Sequence, residues 1–178
     1  TTFFMDDKID NGKIIMQKEF KINDNDNYDS LIRKVESYGS DLVNKTIDRI
    51  TNKNKYPEQN ENNISYAPKI RKEMLLMNCF ENSNINHNKV RAFSQTPGAF
   101  VKIKNKRLKI LMTRKTSIRS LKEDISKIFI EKNKVFIGCS DCLLELVEVQ
   151  FEGKKKMNAL SWARGIIIGS KRIVLNES

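Results

Sequence analysis

Three consecutive lysines are the first candidate for a functional site in this sequence. Lys154, Lys155 and Lys156 follow Gly153 directly and are followed within two residues by Asn158. Ammonium groups on a tight connection can present fixed positive charge to phosphates. A run of lysines taken alone is more often a solvated loop. The elements on either side of it therefore decide how it is interpreted.

A strand and a short helix are predicted to flank the lysines. Residues Leu143–Val149 alternate with a period of two and include only two charged residues, which is typical of a strand with a buried face. Gly153 interrupts that pattern. Asn158 is a good N-cap for a helix over Ala159–Arg164, and Gly165 suits the position after the helix ends. The three ammonium groups are therefore expected on a tight strand-to-helix connection.

The positive charge is concentrated in the later part of the chain. The 178 residues carry 33 Lys+Arg and 22 Asp+Glu, a formal net charge of +11. Residues 1–50 hold eight basic and ten acidic side chains, a net of −2, whereas residues 51–178 hold 25 and 12, a net of +13. A segment that basic is expected to bind a polyanion, either nucleic acid or an anionic membrane surface. No apolar run approaches membrane-spanning length and none is typical of a signal peptide, so no membrane-spanning segment is predicted, and nucleic acid rather than a membrane is the expected partner.

The cysteines and the one histidine are weak candidates for a metal site. Cys139 and Cys142 form a single CxxC, and only Cys79 and His87 could complete a set of four zinc ligands. No second close pair exists, so we predict no metal. A β-hairpin turn over Gly138–Asp141 is the simpler interpretation. An odd number of cysteines indicates a reducing compartment.

The fold class predicted from the chain as a whole is α+β, in three segments. Residues 1–50 contain strands over Thr1–Met5 and Lys13–Phe20 and a helix capped near Asn27, whose apolar stripe includes Leu31, Val35, Tyr38, Leu42, Ile47 and Ile50. These elements cannot bury a core without a partner, so we interpret them as the end of an α/β unit. The chain begins inside an apolar strand and without Met, which suggests the middle of a larger protein. Residues 51–65 are predicted to be a linker.

Residues 66–178 are predicted to be a second, mainly β domain. A short helix is expected from Asn82 or Ser83, and five short strands follow, with turns at Asn105-Lys106 and Asn133-Lys134. The predicted strands are Ala99–Lys104, Arg107–Met112, Ile125–Ile130, Val135–Gly138 and Leu143–Val149. This pattern favours a small OB-like antiparallel β-barrel, a class that often binds nucleic acid.

Several stretches resemble one enzyme family. Met5–Gln17, MDDKIDNGKIIMQ, resembles the M-D-x-G-x-D-x-G-x-I-x-x-Q segment of folate-dependent formyltransferases, with Lys8 in place of its first glycine. Tyr66–Glu73, followed by Val90–Phe93 and Pro97–Phe100, resembles the carboxy-terminal domain of the methionyl-tRNA formyltransferase family, as does Leu143–Gly165. The matches keep the family order and cover nearly all of the chain. The first motif is shared among formyltransferases, and the three together are fairly specific.

The resemblance implies a reaction and a site. Enzymes of this family transfer a formyl group from 10-formyltetrahydrofolate to the amino group of methionyl-initiator-tRNA in translation initiation. The implied fold is the C-terminal piece of a Rossmann-like α/β formyltransferase domain followed by the OB-like domain. The catalytic aspartate of the motif falls on Asp10. Its partner asparagine and histidine lie upstream in the family and have no match here, and His87 is not that histidine. The fragment alone is thus expected to be inactive, monomeric, and located in a bacterial cytoplasm or in an organellar matrix.

The expected tRNA-binding residues are basic side chains in the matched stretches of residues 66–178. Each of them alone is more often an ordinary solvated side chain. The candidates are Lys69, Arg71, Lys72, Arg91, Lys102, Lys104, Lys154, Lys155 and Lys156. Two alternatives remain open at this point: a formyltransferase acting on a sugar or another amine, and a non-catalytic RNA-binding module. The net charge of +13 argues against a small amine as substrate, because a small amine needs no such field.

Overall fold

The chain folds into two compact units, Thr1–Lys69 and Ile70–Ser178. The computed structural model describes residues 1–52, 55–60, 64–166 and 172–175. The division lies close to the start predicted for the second domain at Tyr66, and the three-segment organisation itself stays a prediction.

The first unit combines a two-stranded sheet with one long helix. Strand β1 (Thr2–Phe3) pairs antiparallel with β2 (Ile14–Met16), and α1 spans Tyr28–Thr51. Asn27 caps α1, as the sequence predicted: its side chain accepts a bond from the Ser30 backbone, and the Ser30 hydroxyl accepts one from the Asn27 backbone. Strand β2 is shorter than the predicted strand. Beyond it, Phe20 stacks on Tyr38 of α1 with the ring centroids 5.4 Å apart.

The first unit has little buried surface of its own. Within its described residues only Gly12, Ile15 and Thr46 are buried. The apolar stripe predicted on α1 is present but open to solvent, with Tyr38 40% and Ile47 58% exposed. The prediction that these elements bury no core alone is therefore confirmed for the described part of the unit.

The second unit is built on a curled antiparallel sheet. The strands are β3 (Ala99–Ile103), β4 (Lys106–Arg119), β5 (Lys127–Glu131), β6 (Lys134–Gly138), β7 (Cys142–Phe151), β8 (Met157–Asn158) and β9 (Arg172–Val174). Their order is β3-β4-β7-β6-β5-β9, and β8 pairs with β7. Two helices accompany the sheet, α2 (Ser83–Phe93) and α3 (Ala159–Ile166), together with 3₁₀ turns at Lys72–Leu75 and Lys122–Asp124. The predicted α+β class is confirmed in this coarse form.

The five strands predicted for this unit all exist, but both turns and several strand ends differ from expectation, the end of β4 most. The hairpin turns lie at Lys104-Asn105 and Lys132-Asn133, one residue earlier than predicted. Both residues of each turn have positive φ, as in the type I′ turns that match the twist of paired strands. Strand β4 continues to Arg119 rather than ending at Met112 because it pairs along β7 as far as Cys142.

The main core lies on the concave side of this sheet. Its largest fully buried side chains include Leu108, Ile110, Ile128, Ile137 and Leu144. Helix α3 contributes Trp162, and Asn158 caps that helix as predicted, accepting a bond from Leu160 N at 2.9 Å. Gly165 was predicted to follow α3 but lies inside it, since the helix continues to Ile166.

Candidate nucleic-acid interface

The connection that carries Lys154, Lys155 and Lys156, here called the lysine connection, is held in place by the end of β7. Gly153 has φ +75°, a conformation that glycine adopts without strain, and Lys154 N donates to Phe151 O at 2.9 Å. The Gln150 side chain donates back to Lys154 O, also at 2.9 Å. The connection is therefore a defined turn, and its binding of phosphate stays a prediction.

The three lysines differ in how far their charge is available. Lys154 and Lys155 are exposed. Lys156 donates to Gln95 Oε1 at 2.9 Å and lies 3.7 Å from a carboxylate oxygen of Glu148. The ammonium group of Lys156 is thus partly neutralised, and the other two are the better phosphate ligands of the run.

The β3–β4 hairpin brings further cations to the same end of the sheet. Lys102 pairs with Arg107 in the hairpin register, and Lys104 forms its turn. The backbone of Glu152 donates to Arg107 O at 2.9 Å, which joins the hairpin to the lysine connection. We call this surface the basic end, and it comprises Lys102, Lys104, Lys106, Arg107, Lys109, Lys154, Lys155 and Lys156.

Three members of the basic end were missed from the sequence, namely Lys106, Arg107 and Lys109. A shallow hollow of about 260 Å³ lies beside two of them, lined by Arg107, Lys109 and residues 150–153. Glu152 reduces the net positive charge there. Its carboxyl accepts hydrogen bonds from the Arg107 backbone N–H and from the Arg107 guanidinium, and these bonds, the backbone one foremost, hold its pKa below the usual value. The signal that could have revealed these cations is the predicted pairing of Ala99–Lys104 with Arg107–Met112.

The other predicted RNA contacts lie on other elements of the described chain. Lys69, Arg71 and Lys72 are exposed around the start of the first 3₁₀ turn. Arg91 lies on α2, where its Nε donates to Asn88 Oδ1 at 2.9 Å. The expected tRNA contacts therefore come from several elements of the described chain, and their role stays a prediction.

Asp10 lies in the loop between β1 and β2 of the first unit. It is exposed and has φ +56°. Gly12 is required at its position, because a Cβ there would lie 1.6 Å from the carbonyl oxygen of Phe4. The amide of Gln59 donates to the carbonyl oxygens of both Asp10 and Gly12, at 2.8 and 2.9 Å.

The segment predicted as a linker packs along this loop in its described part. Ile14 N donates to Pro57 O at 3.0 Å, and the Tyr56 ring meets Phe4 edge-on at 5.0 Å. Residues 55–60 are therefore tied to the β1–β2 loop, and Gln59 is the residue that contacts the backbone of Asp10. No sequence signal points to Gln59, since a lone polar residue in a polar segment is ordinary.

A hollow of about 300 Å³ adjoins Asp10. It is lined by Phe3, Met5 and Ile9 together with Lys8 and the carboxylates of Asp6, Asp7 and Asp10. Pockets for ligands of drug size begin at about this volume. Met5 and Ile9 are each 94% exposed, so the hollow is open, and the described residues do not by themselves enclose a folate.

Two of the cysteines, Cys79 and Cys139, and the histidine His87 are buried in the second unit. Burial raises the pKa of the Cys79 and Cys139 thiols to about 12, and all three cysteines are free. His87 is buried on α2, with Nδ1 2.8 Å from Thr113 Oγ1. Within the described ranges no group of three or more His, Cys, Asp or Glu side chains is arranged to hold a metal ion. No helix in that part of the chain is long and apolar enough to cross a bilayer.

The fold and the matched region define the class of protein. Residues 69–166 match the family described as formyl transferase, C-terminal domain, which is more than half of the chain. The chain therefore belongs to the formyl transferase family.

Its curated relatives narrow the class further. The chain is 31% identical to methionyl-tRNA formyltransferase of Syntrophomonas wolfei over 96% of its length, and 32% identical to that of Thermodesulfovibrio yellowstonii over 93%. It covers 57% and 53% of those two proteins, so it spans about half the length of the curated relatives it matches.

Solved structures share the fold. A structure of HypX from Aquifex aeolicus in complex with tetrahydrofolic acid aligns with 94% of this chain and 30% of HypX, at a TM-score of 0.69 and 16% identity. The sugar 3N-formyl transferase WlaRD, in the presence of dTDP and 5-N-formyl-THF, aligns with 86% of this chain and 54% of its own at a TM-score of 0.62 and 25% identity.

Proposed function

We propose that this chain is the carboxy-terminal part of a methionyl-tRNA formyltransferase. The proposal is carried by identities near 30% to such enzymes along almost the whole chain. The basic end on the second unit agrees with it, since a tRNA is a polyanion. In this proposal residues 1–50 are the end of a Rossmann-like catalytic domain and residues 66–178 are an OB-like tRNA-binding domain. Initiator methionyl-tRNA is the substrate, and translation initiation in a bacterial cytoplasm or an organellar matrix is the setting.

The basic end is proposed to hold the tRNA through its phosphates. Lys154 and Lys155 are exposed on a defined turn next to the β3–β4 hairpin. Their ammonium groups can therefore contact the phosphates of a tRNA backbone without the entropic cost of ordering a loop. Phosphate contacts carry little sequence information. The basic end is therefore expected to supply affinity and orientation, and not the discrimination of initiator from elongator tRNA.

Asp10 is proposed to act on the attacking amine. A neutral amine that adds to a formyl carbonyl gives a tetrahedral oxyanion and a positively charged nitrogen, and a carboxylate can orient the amine or accept its proton. When bound, 10-formyltetrahydrofolate would supply the formyl group: as the new C–N bond to the amine forms, the bond from the formyl carbon to the folate nitrogen breaks, and the proton released by the amine goes to that leaving nitrogen. Gln59 supports this role of Asp10 because it fixes the backbone on both sides of Asn11.

Binding of tRNA tests the proposal. The 178-residue chain should bind tRNA in a filter assay, with an affinity that falls steeply as salt rises. Replacing Lys154, Lys155 and Lys156 with Ala should flatten the log–log salt slope by about 1.5 units, because two exposed lysines each release roughly 0.7–0.9 counterion. A control that replaces Lys45, Lys55 and Lys122 with Ala removes the same charge elsewhere. Equal slopes in both variants would exclude the basic end.

A chimera tests the catalytic assignment. The amino-terminal half of the S. wolfei relative joined to this chain should formylate methionyl-tRNA, and the chain alone should not. Asp10→Asn in the chimera should keep tRNA affinity and lose at least about a hundredfold in kcat, as expected when a proton-transfer group is removed. Unchanged kcat in that variant would show that Asp10 has no catalytic role.

A sugar amine is the second candidate substrate, since WlaRD shares 25% identity and the fold. Titration with a dTDP-linked amino sugar separates the two substrates. Binding of that sugar nucleotide at micromolar concentration, with no binding of tRNA, would favour the sugar and would leave the basic end without a role.

A further inference from the structure

A second basic surface lies at the opposite end of the β4–β7 ladder. The last part of β4, residues 114–118, and the turn between β5 and β6 enclose a groove of about 630 Å³. Four cations line it, Arg114, Lys115, Lys132 and Lys134, against two carboxylates, Glu131 and Glu145. We propose that this groove, which we call the distal groove, binds phosphates of the same RNA as the basic end.

Glu145 holds two of the cations of the distal groove in place through ion pairs. Its side chain is only 10% exposed and lies between two cations, with Lys134 Nζ at 3.0 Å and Arg114 Nη1 at 3.6 Å. Both cations remain more than half exposed, at 53% and 61%. A buried carboxylate thus holds two outward-facing cations in place, and preorganised donors of this kind suit phosphate oxygens.

The lining favours a phosphate over a base. Phe136, the aromatic side chain in the lining, is only 4% exposed and belongs to a separate apolar cluster with Phe129 and Leu143. An aromatic ring must present a face to stack on a base. The Thr116 hydroxyl is already engaged, donating to Leu143 O at 2.6 Å. The groove therefore presents charged side chains to a ligand and no exposed ring for stacking, and the net formal charge of its lining is +2.

The two basic surfaces are spaced for a single extended ligand. Arg107 and Lys109 of the basic end share β4 with Arg114 and Lys115, so six or seven residues separate them. At about 3.3 Å per residue the distance is roughly 20 Å. An A-form RNA stem carries a phosphate at every step along its axis, so a stem of several base pairs is long enough to reach both surfaces. A free nucleotide or an inorganic phosphate is too small to do so.

The inference rests on the proposed tRNA function, and the experiment separates the two. The perturbing variant is Lys115→Ala with Lys132→Ala, which leaves both ion pairs of Glu145 in place. The matched control is Lys45→Ala with Lys122→Ala, two exposed lysines elsewhere. Lys115→Arg with Lys132→Arg keeps the charge and serves as the rescue variant.

Filter binding of tRNA to the full chain gives the first measurement. The perturbing variant should bind about tenfold more weakly at 0.15 M salt, if each contact contributes what an exposed ion pair does, and its salt slope should fall by roughly 1.5 units. The Arg variant should bind as the wild type does. Ethylation interference should show two separated runs of phosphates for the wild type and one for the perturbing variant.

Each outcome decides the matter. In one outcome the wild type binds tRNA, the basic-end variant binds it more weakly, and the Lys115/Lys132 variant binds as its control does. The distal groove is then not a phosphate site, and the proposed function stands. If the wild type does not bind tRNA, both proposals fail. A single run of interfering phosphates for the wild type would also overturn the inference.

Discussion

Asp141 provides a sharp test of how the second unit is held together. The residue lies in the turn between the two cysteines of the CxxC, and its carboxylate reaches the first turn of α2. Oδ1 accepts from Ser83 N at 2.6 Å and Oδ2 accepts from Ser83 Oγ at 3.2 Å. The turn thus caps a helix that is distant in sequence, in addition to the local cap by Asn82.

The magnitude follows from these two bonds. Loss of a helix N-terminal cap costs about 0.5–2 kcal/mol, and a hydrogen bond to a charged group about 1.5–3 kcal/mol. Asp141 is only partly buried, so the lower part of that range applies and we expect about 1.5 kcal/mol for Asp141→Ala. For a unit of this size the melting temperature should fall by about 6 °C. The chain has one tryptophan, Trp162, which is buried in the same unit, so its fluorescence reports this transition.

The stabilisation by Asp141 should depend on pH with a definite sign. Burial raises the pKa of its carboxyl, but the bonds from Ser83 and from the backbone of Cys142 outweigh this and hold the pKa below its usual value. A lowered pKa means that the stabilisation is present above the unfolded-state pKa near 3.9 and is lost as the pH falls through the folded-state value. The gap between the wild type and Asp141→Ala should therefore be constant from pH 7 to about pH 5 and should close below pH 4.

Two results would refute this reasoning. Asp41→Ala removes an exposed carboxylate from α1 and should leave the transition where it is, so equal melting temperatures for the two variants at pH 7 would exclude the cap. A gap that keeps its full pH 7 size at pH 3 would show that the substitution removed packing and not a charged acceptor. Ser83→Ala combined with Asp141→Ala should be less than additive, since the two side chains share one bond.

Three further predictions concern other parts of the chain. Gly12→Ala should break the β1–β2 pairing and speed exchange of its amides, whereas Gly39→Ala, in open space within α1, should stabilise by about 0.5–1 kcal/mol. Gln59→Leu should speed amide exchange of the neighbouring loop by about tenfold for each hydrogen bond lost. A maleimide at pH 8 should modify Cys142 first, because the pKa of Cys139, raised to about 12 by burial, leaves almost no thiolate; equal rates by mass spectrometry would contradict the buried position.

Local signals in the sequence predicted local structure well. The caps of all three helices could be placed because an Asx side chain before an apolar run satisfies the free N–H groups of a first turn. The longer strands could be placed from their apolar patterns, whereas the short strands β8 and β9 were not predicted. The hairpin turns were misplaced by one residue because Asn and Lys both occur at positive φ there, and the register of the paired strands decides which two residues turn.

The functional surfaces needed information that no local pattern contains. Strand β4 has three register irregularities against β7, so the simple alternation of its side chains does not predict which of them faces Glu145. Arg114 meets that carboxylate from β4 and Lys134 meets it from the start of β6, two strands that are neighbours of β7 and not of each other. A sequence shows such a cluster as scattered lysines and arginines within a basic half. The fold brings Arg114 and Lys134 together at the buried carboxylate of Glu145, and both cations remain more than half exposed to solvent.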